Sequence, residues 1–313
     1  MADLFVSTLI QGLIYALVSF GVYITYSILD FPDLGVDGTF PLGAAVTALL
    51  LIKGVDPWLT LVISLLVGAL AGLFTGVVHV RLKVRDLLAG IITMTALFSV
   101  NLLIAGGANL PVERAVDTIF TASSTMAILG GLTLSGRKLV ISLVLAVAVK
   151  LVLDLYFKTK SGLLLRAVGD NASLVTSLAR DKGSVKILGL MISNALVALG
   201  GCLVCHETRS FSATMGTGQL VFGLAAVIIG VSLFRFYGAT GLAQALRRCR
   251  PLRFLGSPRD TTAVIVGSFL YKACIQIAMS LGLPTNMLKL VTAVLFLLVL
   301  VVSGRKGEEI IHA

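Results

Sequence analysis

The stretch "LFVSTLIQGLIYALVSFGVYITYSIL" occupies residues 4–29 and contains no Asp, Glu, Lys or Arg. An α-helix needs about 20 predominantly apolar residues to cross a bilayer, at roughly 1.5 Å of rise each. This stretch is long enough, and it has companions. Residues 59–80, 87–110, 187–206 and 210–234 are equally free of Asp, Glu, Lys and Arg. Weaker or interrupted apolar runs follow at 139–156, 263–283 and 290–303, and a shorter one lies at 38–52. Backbone polar groups in lipid must be bonded within their own segment, which favours helices. The runs are too long and too continuous for barrel strands. The expected fold is an all-α polytopic transmembrane helical bundle of eight or nine spans.

Composition agrees. Hydrophobic residues make up 57% of the chain and charged residues 13%, about half the ~25% of a soluble domain. The mean hydropathy is +1.02. The start, Met1-Ala2-Asp3, lacks the basic region of a signal peptide, and the first apolar stretch is read as a retained span.

The net charge of +10 could point to nucleic acid, but its distribution points to a membrane. Arg81, Lys83 and Arg85 share one loop; Lys158, Lys160, Arg166, Arg180, Lys182 and Lys186 share a second. Arg235, Arg247, Arg248, Arg250, Arg253 and Arg259 share a third, and Arg305 and Lys306 lie in the tail. Loops poor in base, at 54–58, 105–136 and 207–216, alternate with these. By the positive-inside rule the basic loops and the C-terminus are cytoplasmic. With an odd number of spans the N-terminus is outside. No nucleic-acid partner is expected.

No linker divides the chain, so residues 1–313 read as one transmembrane domain. Two glycine-interrupted segments stand out, one in each half. The first, "LDFPDLGVDGTFPLGAA", residues 29–45, holds Pro32, Gly35, Gly38, Phe40, Pro41 and Gly43, and an uninterrupted helix is not expected there. The second, residues 210–230, holds Gly216, Gly218, Gly223 and Gly230. Paired broken segments mark the central pathway of many transporters; glycines that only permit close helix packing are the other reading.

Asp30 and Asp33 are read as surface or capping residues, and Asp37 as either an N-cap or a pore-side polar group. Lys272 stands inside a long uncharged stretch, so it is a functional candidate unless it snorkels or pairs with a carboxylate. Lys150 pairs with Asp154 one turn away. Cys202-Leu203-Val204-Cys205-His206 matches a haem-attachment string, yet it closes a span rich in small residues, where Cys serves as a small hydrophobe. No phosphate-binding Gly-Lys-Ser/Thr loop, nucleophile elbow or His-Glu-x-x-His is present, so no catalytic or metal residues and no resident cofactor are assigned.

The polar stretch "GLLLRAVGDNASLVTSLARDKGSVK", residues 162–186, is the wettest part of the chain. Asp170 or Asn171 can cap a short helix that carries Leu174, Val175 and Leu178 on one face and ends near Gly183. An apolar face of this size on a basic loop calls for a partner, or else lies on lipid headgroups.

This loop and the span after it resemble the cytoplasmic coupling loop of ABC importer permeases of the branched-chain amino acid and ribose transporter superfamily. "YSILDFPDLGVDGTFPLGAAVTA" and "MGTGQLVFGLAAVIIG" resemble the branch that accompanies tryptophan- or tyrosine-type binding proteins. The resemblance covers residues 8–303; residues 237–260 depart from it, being longer and richer in Arg.

The resemblance implies a permease of that fold, moving a small solute (an aromatic or other amino acid) across the cytoplasmic membrane by alternating access. ATP would be used on separate cytoplasmic ATPase subunits docked on the loop at 157–186 through Arg166, Gly169, Asp170, Asn171, Leu174, Val175, Leu178 and Ala179. The implied partners are also an extracytoplasmic substrate-binding protein, a second permease copy in a homodimer, and lipid. The pathway would include Asp37, Gly38, Phe40, Gly216, Gly218, Gly223 and Lys272. The alternative is an ion-coupled secondary transporter that uses Asp37 and Lys272.

Overall fold

The computed structural model describes residues 2–170, 181–239, 260–282 and 287–311, and within them helices dominate. In chain order these are α1 Ala2–Val22, α2 Val36–Ile52, α3 Pro57–Val80, α4 Asp86–Ala105, α5 Ser123–Leu129 and α6 Leu134–Tyr156. They continue as α7 Lys160–Asp170, α8 Lys182–Thr208, α9 Gln219–Ala239, α10 Asp260–Ser280 and α11 Leu288–Ile311. Among the described residues six helical segments are long and apolar enough to cross a membrane, and 36–52, 219–234 and 290–301 are shorter apolar helices.

Local chemistry sets several boundaries. Asp56 caps α3, its Oδ1 accepting from Trp58 N at 2.7 Å, with Pro57 at the first helical position. Gly106, at φ 70°, ends α4 in the left-handed conformation. Asp181 caps α8 by accepting from the N–H groups of Gly183 at 2.9 Å and Ser184 at 3.2 Å. Gly183 therefore lies in the first turn of α8 rather than ending a helix before it.

α8 is the central element. It packs on α1, α2 and α3, and its residues from Leu196 to His206 are all buried. The α3 face that meets it carries Gly68, Gly72 and Gly76 at a spacing of four. A Cβ on Gly68 would come 2.5 Å from Asn194 O, and one on Gly72 would collide with Leu190 O. Only a face without side chains permits that approach. The opposite face of α3 exposes Leu59, Val62, Leu66, Leu70 and Phe74, as a lipid-facing stripe should.

α1 runs on through a π-helical segment, Tyr23–Ile28. The break is confined to residues 29–35, where Asp30 has φ 51°. Contrary to the sequence expectation, α2 continues through Gly38, Pro41 and Gly43 to Ile52. Pro41 lacks the N–H that would bond the Asp37 carbonyl, and the helix tolerates that single loss near its start.

Among the described residues the strands form one two-stranded antiparallel ribbon. β1 Asn109–Pro111 pairs with β2 Ser210–Ser212, with Leu110 opposite Phe211. Arg209 braces it, its Nη1 donating to the carbonyls of Glu113, Arg114 and Val116. At the other end of the bundle, Gly183 lies against Val80, and Gly169 against Ile28. The basic segments near 81, 166 and 182 therefore gather away from the ribbon.

Candidate translocation site

The two interrupted segments meet. Asp37, in the first turn of α2, accepts from Gly218 N through Oδ2 and from Leu220 N through Oδ1, each at 2.9 Å. These N–H groups belong to the start of α9, which begins beside α2 and not at the ribbon end. A carboxylate satisfies the unpaired donors of a helix start and complements its dipole. Gly218, at φ +86°, turns the chain into this geometry. Gly216 must lack a side chain, because a Cβ there would collide with the Asp37 carbonyl oxygen and lie 2.6 Å from Pro41 Cδ.

Beside this joint is a cavity of about 350 Å³. α2 contributes Asp37 and Gly38; α4 contributes Met94, Thr95, Phe98 and Asn101; the turn before α9 contributes Thr214 and Thr217. Asn101 is buried, and its Nδ2 donates to Gly38 O at 3.0 Å, tying α4 to α2.

Phe40 and Gly223 stand behind the cavity, in the packing. The Phe40 ring is fully buried, 5.9 Å from that of Tyr15. A Cβ on Gly223 would be 2.5 Å from Val22 Cγ2 on α1. Lys272 also lies apart from the lining residues. Its Nζ sits 3.3 Å from the Tyr15 ring centroid and 5.2 Å from that of Phe222, joining α10 to α1 and α9.

Asp33 is not a surface residue. It is fully buried, and accepts from Gly35 N and from Asn194 Nδ2, each at 2.8 Å. Asn194 Oδ1 in turn accepts from Thr39 Oγ1 at 2.8 Å. The capping half of the expectation holds, since Asp33 secures the turn into α2, while Asp30 is exposed. Sequence reasoning missed Asn101 and Asn194. Each is an amide inside a long apolar run, which is the signal that should have marked them.

Residues 4–300 match the family described as branched-chain amino acid transport system / permease component. The chain belongs to this family. The permease is similar to the tyrosine transport system permease protein of Clostridioides difficile (strain R20291), 39% identical over 292 residues, covering 93% of this chain and 88% of that protein. It is 28% identical over 229 residues to the probable branched-chain amino acid transport permease protein LivH of Methanocaldococcus jannaschii, covering 71% of each. To the ribose import permease protein RbsC of Haemophilus influenzae it is 26% identical over 202 residues, 63% of this chain and 59% of that one. No solved structure matches it. It is a multi-pass membrane permease of the ABC importer type, and the ion-coupled alternative is set aside.

In the permease, the residues that the resemblance assigns to coupling fall into two groups. Arg166 on α7 stacks its guanidinium 5.0 Å from the Phe157 ring centroid. Gly169 abuts the Ile28 carbonyl so closely that a Cβ would collide with it, and Asp170 is the last residue of α7. Asn171, Leu174, Val175, Leu178 and Ala179 lie outside the described residues. The Ser184 hydroxyl, helped by the N–H groups of Gly183 and Ser184, holds the Asp181 carboxyl below the usual carboxylate range.

Cys202, Cys205 and His206 are packed within the permease core. Both thiols are free and buried. The His206 ring accepts from Ile119 N at 3.5 Å, which leaves Nε2–H to donate to Thr60 Oγ1 at 2.9 Å. Among the described residues no three His, Cys, Asp or Glu side chains gather to hold a metal.

Proposed function

We propose that the chain is one of two identical permeases that import an amino acid, most consistently an aromatic one, through the region around Asp37. The observation that carries this is the joint itself: two helix starts, one from each interrupted segment, meet beside a cavity through Asp37, Gly218 and Leu220. Two broken segments held by hydrogen bonds can part and close as units, which alternating access requires. A relative whose name specifies tyrosine supports the aromatic choice.

Residues 1–313 act as one transmembrane unit without an ATPase site of their own. ATP is bound by cytoplasmic ATPase subunits that dock on residues 157–186. A substrate-binding protein delivers solute at the ribbon end, where Arg209 holds the loop carbonyls in place. The gathering of the basic segments at the other end supports a cytoplasmic C-terminus in the cytoplasmic membrane.

The test is reconstitution in liposomes with the cognate ATPase and binding protein, reading uptake of labelled tyrosine. Uptake that requires ATP and all three components is expected. Uptake driven by an ion gradient without the ATPase would overturn the proposal.

A further inference from the structure

We infer that the cavity takes the ammonium group of a small solute, and that Asn101 is the residue that receives it. This assignment rests on the transport reading above and gives its site a chemistry. The argument is a count of donors and acceptors.

Asn101 is 1% exposed, and one of the two N–H groups of its Nδ2 is donated to Gly38 O. That bond fixes which end of the amide is which. Its Oδ1 is buried and has no donor among the described residues. Buried acceptors are seldom left this way.

The neighbouring groups also want donors. The Thr95 hydroxyl donates to Ile91 O at 2.8 Å, which leaves its oxygen only accepting capacity. The Asp37 carboxylate carries the negative charge, and no Lys or Arg is among the lining residues. An anion would meet the like charge of Asp37 with no basic side chain to offset it. An ammonium supplies three donors and a compensating charge.

Met94 and Phe98 line the same cavity and suit an apolar solute body. The volume of about 350 Å³ lies within the ~300–1,000 Å³ of small-molecule sites. In this conformation Oδ1 is sealed, so the ammonium reaches it as α2 and α4 part at Gly38, where the two helices are in close contact.

The test uses the full-length permease purified with its ATPase subunit, and two probes: labelled tyrosine and labelled 3-(4-hydroxyphenyl)propionate, which lacks the ammonium. Scintillation proximity binding should detect tyrosine and not the second probe. Asn101→Leu, which removes the oxygen, should raise the Kd for tyrosine about tenfold or more. Asn101→Asp keeps an oxygen while giving up the amide donor to Gly38, and should retain wild-type affinity.

A structural tie through Nδ2 would predict equal loss in both variants, and that result overturns the assignment. So does wild-type affinity in Asn101→Leu, equal binding of the two probes, or binding of neither. If Asn101→Leu does not assemble, loss of tyrosine binding in an assembled Asn101→Asp complex overturns it alone. ATP-dependent uptake by the wild type is read separately. Its persistence alongside any of these results would reject the Asn101 assignment and leave the transport reading standing.

Discussion

The Asp37 carboxylate caps the start of α9 from another helix, with Gly218 N and Leu220 N each 2.9 Å from its oxygens. Most N-caps come from the residue immediately before the helix; this one comes from a segment 181 residues earlier than Gly218. The cap therefore joins the two halves of the chain at the cavity, and several consequences can be measured.

Removing the cap should loosen the joint. Asp37→Ala deletes both acceptors, and loss of an N-cap costs about 1 kcal/mol. Asp37→Asn keeps one oxygen and should be milder. The thermal midpoint of the purified permease is expected to fall in the order Asn, then Ala, with uptake falling in the same order. An Asp37→Ala permease with wild-type midpoint and uptake would deny the cap any role.

Filling the glycine contacts should disrupt packing without preventing insertion. The Cβ of Gly223→Leu would sit 2.5 Å from Val22 Cγ2, and further carbons follow it. Overpacking of this kind costs about 1–3 kcal/mol. Gly216→Ala drives a methyl into the Asp37 carbonyl and should act directly on the cap. Membrane level by immunoblot and uptake are measured together. Reduced uptake at normal level is expected; normal uptake in both variants would remove the joint from the pathway.

Much of this arrangement was legible in the sequence. Uncharged runs marked the spans, and the paired glycine segments pointed to the joint around Asp37. The extent of each break was not legible. Pro41 and Gly43 read as helix breakers by propensity, yet helical hydrogen bonding in an apolar environment carries α2 through them. The burial of Asp33 was also hidden, because its partners Gly35 and Asn194 come together only when α8 packs on α2. The β1–β2 ribbon pairs three-residue strands a hundred residues apart, too short to show any alternation.

Asp181 should give the permease a pH signature at its basic end. Its folded-state pKa lies below the usual value because Ser184 and the start of α8 hold the charged form. The stabilisation is present above the unfolded pKa of about 3.9 and is lost as pH falls through the folded value. The difference in thermal midpoint between wild type and Asp181→Ala should be constant at neutral pH and shrink only below about pH 4. A difference that grows on acidification would mean that the carboxylate is not the cap.

Orientation is open to labelling. In a background without native cysteines, Lys182→Cys should resist an impermeant thiol reagent added to intact cells, while Gly54→Cys should react. Gly54 lies in the turn between α2 and α3, away from the basic segments. The reverse pattern would invert the topology.

The most direct test of the central claim, that a separate ATPase drives this permease through residues 157–186, is uptake measured with pull-down of the ATPase in Leu174→Asp combined with Leu178→Asp. Burial of one such leucine is worth about 1.5–3 kcal/mol, so losing two should weaken docking at least about tenfold, and buried unpaired carboxylates weaken it further. The spans are untouched, so the permease should still insert and still meet its binding protein. A folded permease with no bound ATPase and no uptake is the predicted result. Wild-type uptake together with wild-type pull-down would contradict the account.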